Sequence, residues 1–163
     1  MSFELRPGET IADALPPEQA GLAFIGRIRT PWTERAACPR QGRPDGPVCT
    51  IESFEPWATG GALDGIEENA RLEVLYWLHL SRRDLLRQSS KPAGTTRGTL
   101  ALRSPLRPNP IGTSIVSLVA PEGAMLKVRG LDCLDGTPLL DLKPARDGFV
   151  PPAPPTPGDA ETG

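Results

Sequence analysis

The side chains with the clearest binding chemistry are concentrated in one loop, residues 103–112 (RSPLRPNPIG). Pro105, Pro108 and Pro110 each fix their own φ, remove an amide donor and push the preceding residue toward an extended conformation. We therefore expect a stiff loop whose carbonyl oxygens have few competing N–H donors. A rigid loop between strands is a common place for binding groups, although three prolines can equally stiffen an ordinary connection. The polar side chains on this loop are Arg103, Ser104, Arg107 and Asn109.

Arginine supplies nearly all of the positive charge, since the only lysines are Lys91, Lys127 and Lys143. A guanidinium fork matches carboxylates, phosphates and base edges better than an ammonium group does. The formal net charge is −2, so the molecule as a whole has no strong field that would attract nucleic acid or an anionic membrane. Local arginine clusters are therefore expected to decide which ligands bind.

The sequence contains one histidine, His79, and three cysteines, Cys38, Cys49 and Cys133. An odd number of widely spaced cysteines argues against a disulfide framework and favours a reducing compartment. These four residues could supply a zinc site, but no closely spaced cysteine pair is present, so we expect independent cysteines and no metal. The sequence also lacks a G-x-S-x-G nucleophile motif, a dinucleotide-binding G-x-G-x-x-G, a phosphate-binding G-x-x-x-x-G-K-[ST] and an H-E-x-x-H zinc motif.

The length of 163 residues and the apolar content of 38% predict one globular domain with a sizeable core. The first residues, MSFELRPGET, lack a signal-peptide pattern, and no apolar run is long enough to span a membrane, so we expect a cytoplasmic protein. By composition, the chain divides into a polar N-terminal arm (residues 1–20), a folded domain (21–148) and a proline-rich, extended or disordered tail (149–163).

Short β-rich segments bounded by turn residues recur along the domain, and helical signals are limited to residues 63–70. Residues 71–80 (RLEVLYWLHL) are apolar on both faces and predict a central strand. Asp135-Gly136 lies between two strand-like runs and predicts a hairpin turn. About six or seven short strands predict an all-β fold, a small barrel or a strongly curved sheet. The predicted strands are residues 22–29, 48–54, 71–80, 99–102, 113–118, 125–131 and 139–143.

Four blocks of the sequence are GRIRTPWTERAACPRQ (26–41), LEVLYWLH (72–79), RGTLALRSPLRPNPIGTS (97–114) and LDCLDGTPLLDLKP (131–144). In this order they resemble the TsaA/TrmO (YaeB-like) family of small β-barrel methyltransferases that use S-adenosylmethionine. The resemblance implies methyl transfer to N6 of an adenosine, best known as a threonylcarbamoyl-modified adenosine beside the tRNA anticodon. It also implies a homodimer with the cofactor near the subunit interface. We expect neither DNA nor a membrane as a partner.

The resemblance also implies a cofactor site, by position, and leaves the catalytic residue unassigned. In such a site an arginine fork suits the cofactor carboxylate, and an aspartate suits the ribose hydroxyls. Arg107 and Asn109 are the predicted substrate contacts, because the Asn109 amide oxygen is held by its flanking prolines and can accept from an exocyclic amine; a plain turn-capping role is the alternative. The predicted cofactor contacts are Pro39, Arg40, Gln41, His79, Leu80, Arg103, Thr113, Leu134, Asp135, Gly136 and Thr137.

Two other functions stay open on the sequence alone. One is a regulatory module that binds S-adenosylmethionine or another small molecule and has no activity on tRNA. The other is plain RNA binding by a β-barrel, which favours surface aromatics interleaved with basic residues. The chain has only three Trp, one Tyr and four Phe, and most lie in strand patterns, so plain RNA binding ranks last.

Overall fold

The computed structural model describes residues 4–15, 17–89 and 94–146. The predicted all-β class is confirmed: apart from two 3-10 turns, Ile66–Glu68 and Thr99–Ala101, the regular structure in these ranges is strand. No helix in the described ranges is both long and apolar enough to cross a membrane. The strands are β1 (Thr10–Ile11), β2 (Gly26–Arg29), β3 (Cys49–Ser53), β4 (Arg71–Trp77), β5 (Leu85–Ser89), β6 (Thr96–Gly98), β7 (Ile111–Glu122), β8 (Met125–Arg129) and β9 (Thr137–Pro144).

Six of the strands close into a barrel in the order β2-β3-β8-β7-β4-β9, and every pair of neighbours is antiparallel. Because neighbouring strands alternate in direction, their connections divide between two ends. We call one the upper end; it carries residues 30–48, 78–110 and 130–136. The other, the lower end, carries residues 54–70 and the tight turn between β7 and β8. Full closure leaves no unpaired edge in the barrel.

The barrel interior is filled by one side of each strand, as period-2 alternation requires. On β4, Leu72, Val74 and Tyr76 are buried, and the opposite set from Glu73 onward is only partly covered. The strand is therefore central, as predicted, but its two apolar faces are not equally buried. Complete burial of an aliphatic side chain of this size contributes about 1.5–3 kcal/mol. The aliphatic residues that are fully covered include Ile28, Ile51, Leu72, Val74, Leu126, Val128 and Leu139.

A second, three-stranded sheet, β1-β5-β6, is built mainly within the long connection between β4 and β7. The sequence predicts no strand at β5, because this segment is polar and rich in arginine. The N-terminal arm joins this sheet: Thr10 pairs with Arg87, and the Arg6 guanidinium donates to the Ser89 carbonyl at 2.7 Å. The Ser89 amide in turn donates to Glu9 at 2.9 Å.

The predicted strand at residues 99–102 is wrong, because Thr99–Ala101 forms a 3-10 turn directly after the shorter strand β6. The reason is tertiary. The buried Thr99 hydroxyl donates to the Leu85 carbonyl at 2.6 Å and accepts from Gln88 at 2.9 Å, which draws the chain inward. Leu100, in the middle of the turn, is 77% exposed.

The predicted hairpin at Asp135-Gly136 is also wrong, since β8 pairs with β3 and β7, whereas β9 pairs with β2 and β4. The turn itself exists, with Gly136 at φ 76°, a conformation that favours glycine. The turn packs against β2 instead: the Gly136 N–H donates to the Ile28 carbonyl of β2 at 2.8 Å. The predicted tail, residues 149–163, lies outside the described residues.

Candidate functional site

The upper end of the barrel carries the chain segments that hold the predicted site residues. Residues 39–41 follow β2, His79 and Leu80 follow β4, and residues 134–136 precede β9. The proline-rich loop that precedes β7 supplies Arg103, Arg107 and Asn109. Thr113 and Thr137 lie near the first residues of β7 and β9. Residues from four separate parts of the sequence therefore share one end of the barrel.

A small cleft joins two of these connections directly. It has a volume of about 40 Å³ and is lined by Leu78, His79, Leu80, Ser81, Leu134 and Thr137. Leu80 is 68% exposed at its rim, whereas Thr137 is 1% exposed at its base. The Thr137 hydroxyl donates to the Leu134 carbonyl at 2.7 Å and so shapes the wall instead of facing a ligand. The cleft offers a mainly apolar contact surface for part of a ligand.

Asp135 is fixed at the edge of this region by the end of β2. One carboxylate oxygen accepts from the Thr30 amide at 3.1 Å, and the other lies 3.3 Å from the Arg29 guanidinium. The carboxylate is 32% exposed, so acceptor positions still face solvent, because an ionised carboxyl group has about four. Asp135 is thus oriented by the protein and retains the capacity to accept from hydroxyl groups.

A polar network that the sequence did not predict lies inside the upper end of the barrel and is centred on Asp132. The Tyr76 and Ser114 hydroxyls each donate to Asp132 Oδ1 at 2.7 Å and lie 2.9 Å from each other. Burial, followed by the Asp132 charge, raises the pKa of the Tyr76 phenol, so Tyr76 stays a neutral donor. The sequence did hold one signal for this network, because Tyr76 and Ser114 are polar residues on the inward side of apolar strands.

Asp132 also holds the segment that carries Pro39, Arg40 and Gln41. Asp132 Oδ2 accepts from the Gly42 amide at 3.2 Å, and the Asp132 carbonyl accepts from the Cys38 thiol at 3.3 Å. A Cβ on Gly42 would lie 1.7 Å from the Gly130 carbonyl oxygen, so only glycine allows this close approach. The Asp132 network therefore acts as a positioning device for the predicted cofactor segment.

The proline-rich loop is packed more tightly than its sequence suggested. We expected its carbonyls to lack competing donors, but several accept hydrogen bonds from elsewhere in the chain. The Arg83 guanidinium donates to the Pro108 carbonyl at 2.6 Å and lies 5.5 Å from the centre of the Trp77 ring. Gln88 donates to the Leu106 carbonyl at 2.6 Å, and the Leu78 amide donates to the Pro110 carbonyl at 2.8 Å. Local sequence could not predict these donors, because they lie on β5 and in the residues between β4 and β5.

The polar side chains of the loop differ in what they face. The Arg107 guanidinium donates to the Leu102 and Ser104 carbonyls and braces its own loop. Arg103 and Asn109 are exposed, and neither side chain bonds to any described residue. The Asn109 amide group therefore does not cap its turn in the described structure. Thr113 lies on the outer wall, where its hydroxyl donates to Glu73 at 3.2 Å.

The three cysteines are unpaired, as the sequence predicted. Burial raises the pKa of the Cys133, Cys49 and Cys38 thiols, which keeps them protonated at neutral pH. Among the described residues, no group of three His, Cys, Asp or Glu side chains is arranged to hold a metal ion.

A more spacious cleft lies at the lower end of the barrel, with a volume of about 430 Å³. None of the predicted site residues lines it. Its walls include Asp64, Glu67 and the turn residues Gly61 and Gly65, and no basic side chain. Because carboxylates disfavour an anionic ligand, this lower cleft is a poor match for a cofactor carboxylate or an RNA phosphate.

Comparison with known proteins gives a consistent family. The model described as the tRNA-methyltransferase O N-terminal domain matches residues 27–149. A Rhizobium radiobacter protein named probable S-adenosyl-L-methionine-binding protein VirR is 54% identical over 94% of this chain and 86% of its own length. The Escherichia coli tRNA (adenine(37)-N6)-methyltransferase is 36% identical over 74% of this chain and 55% of its own length.

Solved structures of this family have a similar fold. A crystal structure of TrmO from Pseudomonas aeruginosa superposes with a TM-score of 0.70 at 32% identity, covering 89% of this chain and 64% of that one. The chain thus spans less than two thirds of that structure and about half of the E. coli relative. The names of these relatives agree with the predicted cofactor and enzyme class at the level of the family. Because the family model matches most of its length, the chain belongs to the tRNA-methyltransferase O (TrmO) family.

Proposed function

We propose that this protein transfers a methyl group from S-adenosylmethionine to N6 of an adenosine beside the anticodon of tRNA. We further propose a threonylcarbamoyl-modified adenosine as the acceptor and the cytoplasm as the site of action. The observation that carries the proposal is the convergence of the predicted cofactor and acceptor residues on the upper end of the barrel. The activity named for the E. coli relative supports the same reaction.

The residues at the upper end fit the chemistry of this methyl donor. Arg103 is exposed without an internal partner among the described residues, so its guanidinium is free to bind a carboxylate. Asp135 keeps acceptor capacity for ribose hydroxyls, and Leu80 offers an apolar contact for a planar base. The set contains a cation, an anion and an apolar surface, as a zwitterionic nucleoside requires.

S-adenosylmethionine supplies a methyl group that is already activated for transfer, so the chain itself needs chiefly to orient the acceptor. The amine of adenine must keep its hydrogens engaged while its lone pair faces the methyl group. In our proposal the Asn109 amide oxygen accepts one of these hydrogens. The loop that holds Asn109 is braced by Arg83 and Gln88, which limits its movement.

We also propose that the protein works as a homodimer. Two features of the single chain support this. The cleft between Leu80 and Leu134 has a volume of only about 40 Å³, too little to enclose a nucleoside without a further wall. The outer face of β7 carries an apolar stripe in which Ile111, Ile115 and Val119 are 42%, 51% and 50% exposed. A second copy covering this stripe would bury it and add a wall to the cleft.

A second candidate function is a regulatory module that binds the cofactor and transfers no methyl group to tRNA. The printed name of the VirR relative, a probable S-adenosyl-L-methionine-binding protein, supports it. The two functions share a cofactor site and differ in whether a methyl group reaches RNA.

The deciding experiment incubates the protein with methyl-labelled S-adenosylmethionine and bulk tRNA and then analyses the nucleosides by mass spectrometry. We expect label on a threonylcarbamoyl-adenosine. A Gly98→Ala variant, assayed in parallel, should retain activity, because a methyl group at this position would contact nothing within 4 Å. Cofactor binding without labelled RNA, from tRNA that carries the acceptor, would favour the regulatory module.

A further inference from the structure

The backbone around Asn109 has few ways to move. The rings of Pro108 and Pro110 fix their own φ angles, and a residue that precedes proline is restricted to extended conformations, which limits Arg107 and Asn109. The main rotation left before Asn109 is the ψ angle of Pro108, which turns the peptide bond between the two residues. A change in that angle would swing the Asn109 side chain away from its present direction.

The carbonyl groups on either side of Asn109 are both held by hydrogen bonds. The Pro110 carbonyl accepts from the Leu78 amide at 2.8 Å, which is a contact between backbone groups. The Pro108 carbonyl accepts from the Arg83 guanidinium at 2.6 Å. Because the direction of the Pro108 carbonyl reports its ψ angle, the Arg83 side chain fixes the one rotation that the prolines leave open.

The other side-chain bonds to the loop cannot do this. The buried Gln88 side chain donates to the Leu106 carbonyl at 2.6 Å, and the Arg107 guanidinium donates to the Leu102 and Ser104 carbonyls. All of these bonds hold parts of the loop that precede Pro108, so rotation about ψ of Pro108 leaves them intact. Among the described residues, Arg83 is therefore the side chain that controls the direction of Asn109.

The Arg83 guanidinium is itself held by the end of β4. It lies 5.5 Å from the centre of the ring of Trp77, the last residue of β4, which is within the range of a cation–π contact. A carboxylate oxygen of Glu18, in the N-terminal arm, lies 4.0 Å from the guanidinium, but the Glu18 side chain is 84% exposed. Such a surface ion pair contributes little. Trp77 and the Pro108 carbonyl therefore decide where the guanidinium points.

We propose that Arg83 is a positioning residue for methyl transfer, which holds the Asn109 carboxamide toward the acceptor amine through its hydrogen bond to the Pro108 carbonyl. This inference rests on the proposed function and adds to it a residue that acts on the reaction through Asn109. Since the misplaced group would contact the acceptor, loss of Arg83 should affect the chemical step and leave cofactor binding unchanged.

The test compares Arg83→Met, which keeps an unbranched side chain beside Trp77 and removes the donor, with Arg87→Met. Arg87 is exposed on β5, and its side chain forms no hydrogen bond or ion pair with a described residue. The assay uses methyl-labelled S-adenosylmethionine and bulk tRNA. We expect Arg83→Met to lower kcat about tenfold, with KM for tRNA and the Kd for S-adenosylmethionine within about twofold of the wild type. Arg87→Met should behave like the wild type.

A double-mutant cycle separates positioning from a general loss of structure. If Arg83 acts through Asn109, then Arg83→Met should cost nothing further in kcat once Asn109→Ala is present. Arg83→Lys, which can still donate to the Pro108 carbonyl, should recover most of the lost kcat. Additive losses in the double variant would overturn the inference. A raised KM for tRNA with unchanged kcat would also overturn it, because that result assigns Arg83 to direct contact with RNA.

Hydrogen exchange at the Leu78 amide measures the loop independently of the reaction. Because this amide donates to the Pro110 carbonyl, its exchange should be faster in Arg83→Met than in the wild type and in Arg87→Met. Normal kcat in Arg83→Met, from an active wild type, would overturn this inference and leave the proposed function intact. A wild type that transfers no methyl group to tRNA would refute the proposed function, and the exchange rates would still show whether Arg83 holds the loop.

Discussion

At the scale of single residues, the proposed chemistry depends most on Asn109. Its side chain is exposed and bonds to no described residue, while its own carbonyl accepts from the Ile111 amide at 2.8 Å. The backbone is thus held in place and the amide group is left available. Replacing it should change the reaction without changing the loop.

We therefore expect Asn109→Ala to lose at least about tenfold in kcat while its affinity for S-adenosylmethionine stays at the wild-type value. The reason is that the interaction is made with the acceptor and is strongest in the transition state. Single-turnover kinetics and calorimetric titration measure the two quantities separately. Normal turnover in this variant would return Asn109 to a structural role.

Arg103 and Asp135 should act on cofactor binding instead. Each of Arg103→Ala and Asp135→Ala is expected to weaken S-adenosylmethionine binding by about 1.5–3 kcal/mol, as for a lost charge-assisted hydrogen bond. Because Asp135 also accepts from the Thr30 amide, circular dichroism must accompany the titration of that variant. Unchanged affinity in both variants, with the fold intact, would exclude the site assignment.

At the scale of elements, the pairing of β4 with β7 shapes the upper end. Gly112 lies opposite Tyr76, and a Cβ at this position would approach the Tyr76 ring to 2.1 Å. The Tyr76 ring cannot yield freely, because its hydroxyl donates to Asp132. The glycine is therefore required for the aromatic residue to reach the network.

We expect Gly112→Ala to lower the free energy of unfolding by more than about 2 kcal/mol through overpacking. Gly98→Ala, whose Cβ would meet nothing within 4 Å, should change it by less than about 0.5 kcal/mol. Urea denaturation of both variants measures the difference. Equal stability would mean that the Tyr76 ring can move aside at little cost.

Local patterns predicted the barrel strands well and the small sheet poorly. The apolar run 71–80 identified β4, and short β-rich runs identified β3 and β8, because each of these strands has at least one side in the core. The strand β5 was missed because its buried Gln88 is satisfied by Thr99 and Leu106, which are distant in sequence. The same non-local pairing explains the wrong hairpin at Asp135-Gly136: the turn pattern is local, whereas β9 has its partners elsewhere.

For the site, the sequence indicated which segments meet but not how they are held. The proline loop and the turn after residue 133 were recognisable from composition and resemblance. Asp132 was not, because nothing in the adjacent residues shows that its partners are Tyr76, Ser114 and Gly42. Such contacts follow from the register of the barrel, which local sequence does not encode.

At the scale of the whole molecule, self-association can be tested on the apolar stripe of β7. Ile115→Lys should shift the protein toward monomer and weaken cofactor binding, since a charge in the proposed interface is costly to bury. The new lysine lies opposite Glu73 on β4, so the barrel itself should tolerate it. Sedimentation equilibrium measures the change, with Leu22→Lys as the control because Leu22 is 57% exposed away from the stripe. A monomeric wild type would refute the dimer.

The stability of the molecule should fall in alkaline solution. Burial raises the pKa of the Cys133 and Cys49 thiols above the ordinary value of 9.0. An unfolded chain loses these protons near pH 9 and the folded chain keeps them, so the stabilising effect is complete below that pH and is lost above it. The Cys133 thiol, whose pKa burial raises strongly, contributes a slope of about 1.4 kcal/mol per pH unit above pH 9. Denaturation at pH 8 to about 10 should give a shallower slope for Cys133→Ala than for the wild type.

The strand β9 has a consequence for how the protein is made. It comes last among the barrel strands in the chain, yet it pairs with both β2 and β4 and so completes the ring. During synthesis from the N-terminus, β2 and β4 leave the ribosome first and wait with unpaired edges until β9 emerges. A nascent chain stalled before residue 137 should therefore bind chaperones, and release should coincide with the appearance of Leu139 and Leu142, whose backbones pair with Gly26 and Val74.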